Sequence, residues 1–283
     1  MNKLCALALA LAVSSSAACA QTPATNPMPD GSRDMYAGLG LASAPRYDGA
    51  ASNKTGALPV LQVQWSNGAF ISGMGAGIHW SDNPAIEYGP LAALHPGRSP
   101  SGTGASIGGA QDSLASQVSA RASLANPNRL HGMDEIKPRL EAGGFLNYYL
   151  APAWRLTGSI LAGAGNDSDG MRAQLGIQRL ALQVAPHHTV ALSAGASLVN
   201  SAYNRAYFGV GAQESFASGH PDYRPRGGLK DVYLGARWNW ALSPAWIVTS
   251  TVQATQLLGD ARRSPLVGQP VGATLTAALA YRF

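Results

Sequence analysis

The chain has 283 residues, 46% hydrophobic and only 12% charged, with a formal net charge of +5. That charged share is about half the ~25% of a soluble globular domain, yet the chain is too apolar for disorder. A coiled coil and a basic nucleic-acid tail are excluded, and the length suits one large domain. The longest apolar run, Leu4 to Val13, is too short for a spanning helix, which needs roughly 18 residues or more.

Lys3, the apolar run, the polar Ser14 to Ser16 and the small-x-small Ala18-Cys19-Ala20 before Gln21 read as a cleaved secretory signal over residues 1–20. Both cysteines, Cys5 and Cys19, lie inside it, so the remaining chain is expected to hold no disulfide and no thiolate site. The rival reading is a lipoprotein acylated on Cys19, but Ser16-Ala17-Ala18 lacks the large aliphatic residue such a signal carries. Residues 21–33, with Pro23, Pro27, Pro29 and Gly31, read as a flexible periplasmic leader.

From Asp34 onward the hydrophobic period is two, so the chain reads as β. A strand carrying Gly73, Gly75 and Gly77 on one face, and then Ile86 to His95, precede the clearer strands. Arg139 to Leu150, Trp154 to Ala162, Val232 to Leu242, Trp246 to Leu258 and Val271 to Phe283 alternate apolar with small or polar residues. In Met171 to Val184 the phase slips, which predicts a β-bulge near Gln178 or Arg179. A soluble sandwich alternates too, but these segments match the ~9 to 11 residues of a bilayer-spanning strand better than the ~5 to 6 of soluble ones. Trp65, Trp80, Tyr148, Tyr149, Trp154, Trp240, Trp246 and Tyr281 sit near segment ends, where aromatic girdles at the two membrane interfaces would lie. The C-terminal Tyr281 and Phe283 suit barrel assembly. The fold expected over residues 34–283 is therefore an all-β, transmembrane, antiparallel up-and-down barrel, which satisfies every backbone group without an open edge.

Ser66-Asn67-Gly68, Ala151-Pro152, Ala185-Pro186 and Ser243-Pro244 are tight turns, expected in the periplasm; the longer connections, such as Tyr203 to Leu229 and Asp260 to Pro270, are expected outside. Eleven strand-like segments are legible, but single-chain barrels have an even number. Twelve strands result if an upward one hides in Gly97 to Leu130, and Ile86 to His95 then runs downward. Ten result if Ser101 to Asn128 is a loop insertion.

The chemistry-bearing motifs are weak. Gly73-x-Gly75-x-Gly77 lacks the spacing of a dinucleotide loop and reads as close packing within a strand. His187-His188 falls at a turn without the further ligands of a metal site. No G-x-S-x-G elbow is present, so a barrel hydrolase would need a serine assembled from distant strands. No catalytic, metal or cofactor residue is expected. The polar parity carries Arg155, Arg172, Arg237 and Arg282 against Glu141 and Asp231, either as ion pairs plugging the lumen or as the lining of a narrow, mildly anion-selective pore. Arg224, Arg226, Arg262 and Arg263 lie in outer loops, where guanidinium groups suit lipopolysaccharide phosphates.

Tyr207-Phe208-Gly209-Val210, Ser218-Gly219, Tyr223-Arg224-Pro225, Leu257-Leu258-Gly259-Asp260-Ala261 and Ser264-Pro265-Leu266-Val267 form one set of motifs. Upstream stand Tyr47, Leu58-Pro59, Gly89-Pro90, Gly97-Arg98, Leu130, Gly132, Glu141 and Gly143. Together with the terminal Tyr281-Arg282-Phe283, these resemble the MipA/OmpV family of outer-membrane proteins across nearly all of the chain after the leader. Two departures are Arg263, where the family has an acidic residue before Ser-Pro, and a longer stretch between Arg98 and Leu130. The resemblance implies a non-enzymatic protein of the Gram-negative outer membrane, in contact with its lipid. Its expected role is a scaffold bringing a lytic transglycosylase together with a bifunctional murein synthase, with a porin-like channel as the alternative.

Overall fold

The structure, a computed structural model, describes residues 35–81, 83, 85–99 and 129–283. The expected signal (1–20), leader (21–33) and most of the Gly97 to Leu130 segment lie outside the described residues.

Twelve antiparallel strands close into one barrel. They are β1 (Tyr36–Pro45), β2 (Asn53–Gln64), β3 (Ala69–Ser72), β4 (Gly75–Ile78), β5 (Ile86–His95) and β6 (Arg139–Ala151), then β7 (Trp154–Ala164), β8 (Gly170–Ala185), β9 (His188–Val199), β10 (Gly228–Ala241), β11 (Trp246–Leu257) and β12 (Val271–Arg282). Three short helices sit in the long connections: α1 (Ser201–Phe208), α2 (Ala212–Ser218) and α3 (Gly259–Arg263). Apart from the short β3 and β4, odd strands run from a rim of tight turns to a rim of long loops, and even strands run back.

The strand count of twelve holds, but the twelfth strand arises elsewhere than in Gly97 to Leu130. β5 pairs directly with β6 from Ile86↔Tyr148 to His95↔Arg139, so no strand from the intervening segment enters the wall between them. Instead Ala69 to Ile78 is a hairpin of two four-residue strands, with Gly73 at φ 57 in its turn. Two strands where one was read reverse the direction of Ile86 to His95, which runs upward, and put residues 96–99 and 129–138 on the loop rim. Gly75 and Gly77 do face inward together, and a Cβ on Gly77 would lie 2.7 Å from the Phe70 ring, but Gly73 belongs to the turn. Above this short hairpin, Asn53–Val60 of β2 ladders only with β1 among the described residues.

Closure is made by β1 against β12, from Tyr36↔Arg282 to Ser43↔Leu275. The inward residues at this seam are small because the strands approach closely: a Cβ on Gly38 or Gly40 would run into the β12 backbone at Leu279 and Ala277. The expected bulge appears in β8, where the register shifts between Arg179 and Leu182 and Ala181 takes φ 35.

The outward face is the apolar one. Leu39, Leu140, Leu146, Ile160, Leu175, Leu234, Val252, Leu275 and Leu279 are all exposed. In water that surface would be prohibitive; against lipid it is what a spanning barrel presents. The aromatic belt is single. Trp65, Trp80, Tyr148, Trp154, Trp240, Trp246 and Tyr281 all face outward at the turn rim, with Trp238 beside them. No described strand carries an outward aromatic at its loop end, so the second girdle is absent there, and Tyr149 points inward to Glu87.

Candidate functional site

The inward parity of the strands builds a lumen with two charged layers. Toward the turn rim, Glu87 is fully buried and accepts hydrogen bonds from Tyr149 Oη (2.8 Å) and Asn147 Nδ2 (3.1 Å). Arg155 reaches Glu87 at 3.9 Å and donates through Nε to Gln178 at 2.9 Å. Phe70, Leu91, Phe145 and Leu161 pack beside them as an apolar patch, with the His79 ring against Phe70 and Phe145.

Toward the loop rim, Arg172 grips Glu141 with NH2 at 2.7 Å and Nε at 2.9 Å, both on the same carboxylate oxygen. Lys230 occupies the bulge in β10 between Leu229 and Asp231, which turns its ammonium onto Asp48 (2.8 Å) and Asp231 (3.0 Å). Burial opposes the charge on Asp48, but Lys230 outweighs it and holds that carboxyl below its usual range. Between the layers lies a cavity of about 230 Å³, lined by groups of both, including Phe145, Arg155, Arg172, Tyr203, Lys230 and Asp231.

A cap packs over the cavity on the loop side. Asn200 starts α1 as its N-cap, its side chain accepting from the backbone N–H of Tyr203 at 2.8 Å. The helix turns Tyr203 and Phe208 down into a cluster with Ala164, Val199, Leu257 and Ala261. The His95 ring lies between two phenols, Nε2 at 3.2 Å from Tyr203 Oη and Nδ1 at 3.0 Å from Tyr207 Oη. Burial pushes the Tyr203 hydroxyl up to about 12 and raises that of Tyr207 as well, so both stay protonated at neutral pH. Arg98 donates to the Tyr207 carbonyl at 2.6 Å, and burial lowers its guanidinium pKa. Ser264 Oγ donates to the Phe208 carbonyl at 2.7 Å, while Leu130, Met133, Val210 and Leu266 pack as a second small core.

The motif residues Tyr207, Phe208, Gly209, Val210, Leu258, Gly259, Asp260, Ser264 and Pro265 thus come together as cap. Gly259 takes φ 54, Tyr223 Oη donates to the Asp260 carbonyl, and Arg129 donates to the Pro265 carbonyl. Of the six charges expected in the lumen, Arg155, Arg172, Glu141 and Asp231 lie in it. Arg237 faces inward beside Gln178, Thr251 and Gln253. Arg282 lies instead at the turn rim, where its Nε donates to the Pro244 carbonyl, because β12 ends there.

The sequence reading missed Glu87, His95, Asp48 and the inward turn of Lys230. Odd positions from Glu87 to His95 face inward, so the parity of β5 carried the signal for the first two. A bulge and a loop hid the others.

The loop arginines all lie on the loop rim. Arg224 is 78% exposed and 3.8 Å from Asp222, Arg263 pairs with Asp260 at 2.8 Å, and the Arg226 backbone N–H donates to that same Asp260. Arg262 and Arg263 form the last turn of α3.

Among solved structures the chain is similar to a Pseudomonas aeruginosa FadL homologue (9% identity, covering 91% of this chain and 93% of that one, TM-score 0.39). It is also similar to the Pseudomonas putida toluene transporter TodX (10%, 91% and 92%, 0.35) and to an anion-selective porin from Comamonas acidovorans (8%, 88% and 98%, 0.35). Likeness at this level carries no argument about function. No curated protein matches the sequence significantly. Matched from residue 37 to residue 283 by the family described as MltA-interacting protein MipA, a span that takes in the cap and all but the first residue of the barrel wall, the chain belongs to that family.

Proposed function

We propose that the protein is a non-enzymatic scaffold of the Gram-negative outer membrane, exported by a signal over residues 1–20. In this role it holds a lytic transglycosylase and a bifunctional murein synthase together on the periplasmic side. The family match over residues 37–283, under a name that states an interaction with MltA, carries the reading. Two features support it. Arg155, Arg172 and Lys230 are each engaged with a carboxylate beneath a packed cap, which works against the narrow anion-selective pore. The motif residues are used in building that cap, which leaves the turn rim and the leader at 21–33 to meet soluble partners.

The test is a pull-down of the protein from crosslinked, solubilised envelopes, beside one variant lacking residues 21–33 and another lacking 101–128. Capture of both murein enzymes is expected from the full chain and from the second deletion, with reduced capture from the first. A clean pull-down without either enzyme sinks the scaffold.

The loop-rim arginines Arg224, Arg226, Arg262 and Arg263 are proposed to face lipopolysaccharide phosphates. Replacing Arg262 and Arg263 together by alanine is then expected to lower co-purifying lipopolysaccharide, measured by phosphate and sugar assay of the purified barrel. An unchanged amount removes the assignment.

A further inference from the structure

One strand residue breaks the rule of the outward face. Arg155 Nε bonds Gln178, so Gln178 points into the lumen and Arg179, its neighbour on β8, points out. Arg179 is paired across the ladder with Trp154, whose ring is outward and exposed, and its guanidinium carbon lies 5.6 Å from that ring's centroid. The other strand charges (Lys54, Glu87, Arg139, Glu141, Arg155, Arg172, Asp231 and Arg237) fall on the inward parity of their strands, Arg282 shares that parity at the turn rim, and Lys230 turns in at a bulge. Arg179 is therefore the one charged side chain on the outward face of the twelve strands.

It does not hang free at a wet edge. Outward apolar residues flank it along β8, Leu175 and Ile177 on one side and Leu182 and Val184 on the other, because the bulge at Ala181 restores the outward parity beyond it. A cation on a lipid face costs about 2–4 kcal/mol at the midplane and little near the interface, and the Trp belt marks the interface here. Stacking on Trp154 and one hydrogen bond, from NH1 to the Ala153 carbonyl at 3.2 Å, fix the plane of the guanidinium. That leaves Nε and NH2, the edge that receives two phosphate oxygens side by side, with no protein acceptor among the described residues.

We propose that Arg179 and Trp154 form a binding site for the phosphate of an anionic glycerophospholipid in the leaflet at the turn rim. The guanidinium edge takes the phosphate, the indole holds the guanidinium at headgroup depth, and the acyl chains run along Leu156, Leu175 and Ile177. The site is independent of the scaffold reading, since it faces lipid and contains no turn-rim loop residue beyond the Ala153 carbonyl.

The full-length barrel is delipidated in detergent, exposed to phosphatidylglycerol or to inorganic phosphate, and examined by native mass spectrometry. Wild type is expected to retain one phosphatidylglycerol adduct that inorganic phosphate neither replaces nor mimics. Arg179→Gln is expected to lower adduct occupancy about tenfold, the scale of one charge-assisted hydrogen-bond pair. Arg282→Gln, which removes a charge at the same rim on the inward parity, leaves it unchanged. Equal retention by Arg179→Gln, equal loss in Arg282→Gln, or competition by inorganic phosphate overturns the proposal. If Arg179→Gln fails to fold, shown by loss of heat-modifiable gel mobility, Arg179→Lys keeps the charge but loses the fork. Adduct occupancy equal to wild type in that variant overturns the proposal equally.

Discussion

Glu141→Ala is expected to destabilise the barrel by about 3–5 kcal/mol, the cost of leaving one member of a buried ion pair without its counter-charge. Glu141 is fully buried, and the Arg172 side chain that grips it is only 11% exposed. Removing the carboxylate takes from the Arg172 guanidinium, on β8, both of its bonds to β6. The pair itself need not be strongly stabilising, because desolvation offsets most of its attraction. A double variant, Glu141→Leu with Arg172→Met, should therefore recover most of the loss. Urea titration of the protein in lipid vesicles, followed by heat-modifiable gel mobility, measures both. An unshifted midpoint for Glu141→Ala, or a double variant as unstable as the single one, would show that the lumen does not depend on this pair.

The second large effect is local. Phe208→Ala removes a ring 1% exposed from the cluster that seats α1 on Val199, Leu257 and Ala261. Truncating a buried Phe costs about 3–5 kcal/mol, and here the cost falls on the cap rather than on the ladders beneath it. The barrel should keep its gel mobility and its vesicle midpoint. The segment 200–227 should be cleaved much faster by added protease, and planar bilayers should record openings that wild type lacks. A cleavage pattern identical to wild type would mean that the cap does not rest on Phe208.

The same distinction between ladder and cap explains what the sequence made legible. β11 and β12 alternate without interruption over twelve residues each and β10 does so from Asp231 to Ala241, so their faces follow from period alone. β3 and β4 have four residues each, with Gly73, Gly75 and Gly77 contributing no side chain to either face, so the hairpin looked like one strand. That single miscount reversed β5 and moved its His95 end to the other rim. In the lumen the parity of Arg155, Arg172 and Glu141 was readable, but the Arg155 partner was not, because Glu87 meets Arg155 across an intervening strand. The cap motifs were recognisable as residues, yet the bond from Ser264 to the Phe208 carbonyl spans 56 positions and has no local signature.

All six tryptophans gather at one rim. The intrinsic fluorescence of the protein therefore comes from a single depth in the bilayer. A quencher carried on lipids of the turn-side leaflet should extinguish nearly all of it, while one confined to the opposite leaflet leaves it bright. Emission thus reads directly which way the barrel has inserted, with no label attached.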